Sequence, residues 1–222
     1  MSSLIAFLKT NYFVIATDTL AHTKNEHAIS LVNFCTKTYY LPQFKCCFAG
    51  QGSAKMLNQY FIFAQENIIA KDINSLIVQT GLHFKANIQE SSTNNLGTIF
   101  LFGVSDLTNT LEAHKITLTK SSPYLEISEL RTMGLLHKPE VANIETFVSS
   151  QQNNDVHELL VLLMKEQKKQ DDIKTISKRA VIGGQIQITS LYYDDQTHIL
   201  EFNIGMLESF PDFELMFNEM IK

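Results

Sequence analysis

The chain has 222 residues, of which 45% are hydrophobic and 18% charged, with a formal net charge of −5. That balance belongs to a globular protein long enough to bury a sizeable core, and it argues against intrinsic disorder. No basic stripe of the kind that tracks phosphates is present, so nucleic acid is not an expected partner.

Taken in chain order, residues 4–8 and 12–18 are short apolar runs rich in aromatic and β-branched residues, parted by the polar Lys9-Thr-Asn11. This pattern predicts a β-hairpin at the start of the chain. Strands are expected over 28–35 and 44–49, with Pro42 marking the turn between them. Cys46 and Cys47 are adjacent in an apolar run and so project to opposite faces of a strand. With Cys35 they make an odd count, and free thiols in a reducing compartment are expected, with Cys46 and Cys47 buried in the core.

Gly50-Gln-Gly52 is then expected to end the strand, and Ser53 to cap a helix running to about residue 70. Met56, Tyr60, Phe63 and Asn67 recur along it at helical spacing, with Leu57, Phe61 and Ala64 beside them. Asp72 caps a second helix from 73 to about 89, whose stripe is Leu76, Ile77, Thr80, Phe84 and Ile88; a polar loop at 90–95 ends it.

Strands follow at 98–104, near 111–119 and around 125–129, then helices at about 141–150 and 155–176. Asp155 caps the latter, whose buried stripe is Leu159, Leu160, Leu163 and Met164; its basic Lys165-Glu-Gln-Lys-Lys169 reads as a solvated face. Gly183-Gly184 opens a strand at 185–193, Asp194-Asp195 turns it, 198–204 returns, and a short helix at about 213–221 closes the chain.

No repeat or linker divides this order, so one domain over 1–222 is expected. Two sheets must each bury a face, and two helix pairs must each bury a stripe. The economical solution is an α+β, four-layer αββα sandwich, with two mainly antiparallel sheets between helix pairs. The seven histidines are scattered, with no metal-ligand spacing to the cysteines and no Ser-His-Asp pattern around His22, His27, His114 or His198. Neither a metal nor another cofactor is expected. Met1-Ser-Ser-Leu-Ile-Ala-Phe-Leu-Lys9 is unlike a signal peptide, and no apolar run approaches the ~18 residues that span a bilayer. A cytoplasmic location without a membrane partner is expected.

Ser2-Ser-Leu-Ile-Ala6 followed by Phe13-Val-Ile-Ala-Thr-Asp-Thr19 resembles the opening of proteasome β-type subunits and their bacterial relatives, the HslV and Anbu proteins. Those N-terminal-nucleophile (Ntn) hydrolases start with Thr-Thr and an apolar strand, and end the second strand with small residues before an Asp. Lys37-Thr-Tyr-Tyr-Leu41 and Lys45-Cys-Cys-Phe-Ala-Gly50 resemble the lysine-bearing strand and the glycine turn, and Ile182-Gly-Gly-Gln-Ile186 the late glycine-led strand. The resemblance is specific over about the first 55 residues, architectural from Ser53 to Arg179, and partial again at Gly183-Gly184.

The resemblance implies a peptidase in which Ser2, exposed by removal of Met1, is the nucleophile. A hydroxyl needs a base; here that base is the chain's own α-amino group, whose reference pKa is near ~7.7–8.0. The Lys37 ammonium would disfavour a second charge beside it and so keep the amine neutral. Asp18 would hold Lys37 charged, and the backbone amide of Gly50, or else of Gly52, would face the oxyanion. Lys45 and Thr36 lie close enough to Lys37 to leave its register open.

The implied partners are a peptide or unfolded-protein substrate, further copies in a ring-like homo-oligomer, and an unfoldase. Phe61 and Phe63 would be exposed interface residues in such a ring. The chain departs from the family where Arg179 and Ile182 replace a supporting Asp and Ser, and where Leu135 follows Gly134 in place of a Ser. An inactive subunit with an assembly or binding role, or a small-amide amidase of the same fold, are the alternatives.

Overall fold

The structure, a computed structural model, describes residues 3–52, 54–87, 97–118, 126–130, 134–151 and 154–221. It combines α-helices with three antiparallel sheets. The first sheet has the order β10-β1-β2-β11-β12, formed by β1 (Leu4–Lys9), β2 (Tyr12–Asp18), β10 (Gly134–Lys138), β11 (Gln185–Asp194) and β12 (Ile199–Ser209). The second has the order β5-β6-β7-β8-β9, from β5 (Thr38–Leu41), β6 (Cys46–Gly52), β7 (Gly97–Ser105), β8 (Thr110–Leu118) and β9 (Glu126–Leu130). A small ribbon pairs β3 (Leu20–Lys24) with β4 (Ile29–Phe34). The helices are α1 (Ala54–Asn67), α2 (Ile73–Asn87), α3 (Ile144–Ser150), α4 (Val156–Asp172) and α5 (Phe213–Met220).

The central strands are apolar at consecutive positions because both of their faces are buried. In β1, Leu4, Ala6 and Leu8 enter one core while Ile5 enters another; in β2, Phe13 and Ile15 alternate in the same way with Val14 and Ala16. β6 and β7 behave alike. Cys47 and Ala49, with Phe100, Phe102 and Val104, join the core that β1 and β2 also line, while Cys46, Phe48, Ile99 and Leu101 face α1 and α2. The two five-stranded sheets therefore share one core, with Phe13 and Phe102 edge to face at 6.2 Å. The far side of β1, β2 and β11 packs on Leu160, Leu163 and Met164 of α4. The far side of β6 and β7 packs on Leu57, Tyr60, Leu76 and Ile77 of α1 and α2. Each fully buried Leu, Ile or Phe stabilises by about 1.5–3 kcal/mol.

Several expectations are corrected. β3 and β10 are strands that the sequence pattern did not reveal, β5 lies where the resemblance placed the lysine-bearing strand, and Pro42 opens a 3-10 turn (Pro42–Phe44) between β5 and β6. β6 continues through Gly50 to Gly52, because β7 pairs with it as far as Gly52↔Gly97 and the ladder outweighs the low strand propensity of glycine. β12 extends to Ser209 because β11 pairs along its whole length. The buried stripe of α1 is Leu57, Tyr60 and Ala64, continued by Ile68 just past the helix end, which leaves Asn67 exposed. Phe61 and Phe63 are half-buried against that core rather than free surface. Ser2, Ser53, Ile88 and the 90–95 loop lie outside the described residues.

Candidate functional site

β2 ends on Asp18, whose side chain is fully buried where β2 pairs with β11 through Asp18↔Ile186. Its Oδ1 accepts the Ser3 amide at 2.8 Å and lies 2.8 Å from the Lys37 Nζ. Its Oδ2 accepts the Gly183 amide at 3.3 Å. Lys37, which is 5% exposed, also donates from Nζ to the Leu20 carbonyl at 2.6 Å. A buried charge is tolerated only when it is paired and hydrogen-bonded, and both members of this pair meet that condition.

The segments around the pair are laced together by Thr19. Its amide donates to the Gln185 carbonyl at 3.1 Å, its hydroxyl accepts the Gln185 amide at 2.8 Å, and its carbonyl accepts the Cys35 amide at 2.8 Å. Gly184 closes the turn at φ +81°, in the left-handed region, where any Cβ would run into Thr19 and the Phe34 ring. The hairpin start, the lysine-bearing segment and the late glycine turn thus meet at one point.

Of the residues singled out from the sequence, Asp18 and Lys37 come together. Gly50 is the first β6 residue beyond the Thr38↔Ala49 pair, on the side where Lys37 precedes β5. A methyl at Gly50 would overlap the buried side chain of Leu57, so α1 packs directly on this glycine; Gly52 instead has φ +131°. Lys45 points elsewhere, to Asp106 at 3.2 Å on the surface, and Thr36 bonds Gln187 at 3.0 Å, so neither competes with Lys37 for Asp18. Arg179 pairs with Asp172, while Ile182 and Leu135 pack in the core under α4. Sequence reasoning missed the Ser3 and Gly183 amides and the Leu20 carbonyl. Backbone groups carry no sequence signature, though the glycine pair at 183–184 marks the turn that presents one of them.

The other candidate nucleophiles are muted by their surroundings. Burial raises the Cys46 and Cys47 thiols well above the ordinary range, and partial burial raises Cys35, so all three are held as thiols. Burial, followed by nearby positive charges including Lys37 and Lys24, lowers His22 to about 4. His114 pairs with Glu112 at 3.1 Å, and His198 bonds the Tyr193 hydroxyl at 3.1 Å. No group of three or more His, Cys, Asp or Glu that could hold a metal ion occurs among the described residues. No helix among them is long and apolar enough to cross a membrane.

A cleft of about 480 Å³ opens between the outer strands β5 and β12, walled by Tyr39, Phe61 and Met206 over a floor of Thr36, Thr38 and Gln187. Tyr40 and Phe202 stack at 3.9 Å, bridging the same two strands. Compared with known proteins, the chain matches no family model and no curated protein.

Proposed function

We propose that this chain is a proteasome-like Ntn hydrolase of four-layer αββα build, which cleaves peptide amide bonds with Ser2 once Met1 is removed. The observation that carries the reading is the buried Asp18–Lys37 pair, bonded through Asp18 to the amide of Ser3, the residue next to Ser2. The three cores, with helices outside two facing sheets, agree with that build.

In this mechanism the free α-amine of Ser2 accepts the proton of its own hydroxyl as Oγ attacks the scissile carbonyl carbon. The tetrahedral oxyanion is met by the Gly50 amide. Collapse expels the amine product, which takes the proton back, and leaves an ester on Ser2. Water, deprotonated by the same α-amine, then hydrolyses that ester. Lys37 has three N–H donors, two of which go to Asp18 and the Leu20 carbonyl. Its positive charge keeps the amine neutral and able to act as a base. Assembly into a ring-like homo-oligomer, and supply of unfolded protein by an unfoldase, belong to the same reading.

The test is intact-mass analysis together with hydrolysis of small peptide amides. We expect a mature chain lacking Met1 that is active, and a Ser2→Ala variant that is folded and inactive. A chain that retains Met1 and shows no hydrolysis would replace this reading with that of an inactive subunit, which the loss of the supporting Asp and Ser at Arg179 and Ile182 would then explain.

A further inference from the structure

We infer that Gln167 and Asp171, one helical turn apart on the buried face of α4, are positioning residues for the Asp18–Lys37 pair; the inference rests on the reading of that pair as the working site. Asp18 is held by two backbone amides, those of Ser3 and Gly183, and α4 secures the segment that carries each one.

Ser3 is secured by Gln167. The Ser3 hydroxyl donates to the Gln167 Oε1, while the Gln167 Nε2 donates to the Pro139 carbonyl; Gln167 is 1% exposed, so both bonds form away from water. The sulfur of Met164, one turn earlier on the same face, lies 3.1 Å from the same hydroxyl oxygen.

Gly183 is secured by Asp171. That carboxylate is fully buried, and its two oxygens accept the successive amides of Ala180 and Val181, each at 2.8 Å. Val181 sits at φ +61°, a conformation that a β-branched residue avoids at a cost of roughly 1–3 kcal/mol unless its surroundings impose it. The two amide bonds to Asp171 impose it. Lys168 completes the hold by donating to the Ile182 carbonyl at 3.1 Å while paired with Asp172 and Asp212 at 3.1 and 2.9 Å. The turn that results directs the Gly183 amide at Asp18.

Even with Lys174 facing Asp171 at 3.4 Å, a buried carboxylate beside a strained valine is less favourable in a core than an apolar helix residue and a relaxed turn would be. Their combination is accounted for by what the turn presents. It also supplies a support for Asp18 in a chain whose late turn carries Arg179 and Ile182 in place of a supporting Asp and Ser. Asp171 touches neither Asp18 nor Lys37, so its influence passes through the backbone of residues 180–183.

The experiment is pulsed acetylation of lysine amines in the native protein, read at Lys37 by peptide mass spectrometry and compared with the exposed Lys9. Asp171→Asn keeps the shape of the side chain but turns an NH2 toward an N–H donor; Gln167→Leu keeps the volume and deletes both hydrogen bonds. Leu160→Ala, which destabilises the same helix from a core position, is the control for stability alone. We expect Lys37 to acetylate roughly tenfold faster in Asp171→Asn, and faster to a smaller degree in Gln167→Leu, as the local hold on the pair loosens, with no change in Leu160→Ala. If Asp171→Asn proves too unstable for a native sample, Gln167→Leu decides alone. Wild-type protection of Lys37 in both folded variants would overturn the inference. Because the labelling needs no substrate, it reports on α4 whether or not the protein hydrolyses peptides. Where hydrolysis is found, a fall in kcat at unchanged KM is the matching kinetic result.

Discussion

At 5% exposure Lys37 is tolerated out of water only because Asp18 faces it at 2.8 Å and the Leu20 carbonyl accepts a hydrogen bond from a second N–H. Removing one member strands the other. Asp18→Ala is expected to cost about 3–5 kcal/mol in urea unfolding, and the double variant Asp18→Ala/Lys37→Met to cost less than the single one, since it leaves no uncompensated charge. His22 gives a pH signature. Its folded pKa of about 4 lies below the 6.5 of the exposed side chain, so between those values the unfolded chain binds a proton that the folded one refuses. The contribution is complete above pH 6.5 and is lost as pH falls through about 4. His22→Gln should flatten the fall in stability across that window, as followed by denaturant midpoints at successive pH values. Asp18 and Lys37 were legible as candidates only through the resemblance of residues 13–19 and 37–41 to proteasome β-type subunits, which left Lys45 and Thr36 open beside Lys37. That the lysine was Lys37 and not Lys45 was decided by which of them the fold turned inward.

Helix ends and tight glycines carry the next level. Asp155 precedes α4 and accepts the Glu158 amide at 2.9 Å, satisfying one of the free donors at the helix start. Asp155→Ala should cost about 1 kcal/mol by thermal or urea melts and leave the structure otherwise intact. Gly50 has a different role from the strand-breaker it resembles, since β6 runs straight through it and Leu57 occupies the space a side chain would need. Gly50→Ala is expected to destabilise by about 1–3 kcal/mol through overpacking, and Leu57→Ala in the same chain should recover part of that loss, a coupling a double-mutant cycle would measure. Helices were legible because the 3.6-residue period and the Asp caps at 72 and 155 are local. β10 was not, because it is a short strand of five residues that forms by pairing with β1, far away in the chain.

For the molecule as a whole, the proposed ring-like assembly predicts a particle several times the mass of one chain by light scattering at micromolar concentration; a clean monomer would remove assembly from the reading. By itself the sequence determined the alternation of strand and helix and the free, buried thiols of Cys46 and Cys47, because these depend on side-chain period and composition. The tertiary structure alone decided that the stripe of α1 leaves Asn67 exposed, and that Ser3, Gly183 and Lys37 converge on Asp18. Those outcomes depend on backbone donors and on contacts between residues more than a hundred positions apart, such as Asp18 with Gly183 and Ser3 with Gln167, and no local pattern in the chain encodes which distant segment will meet which.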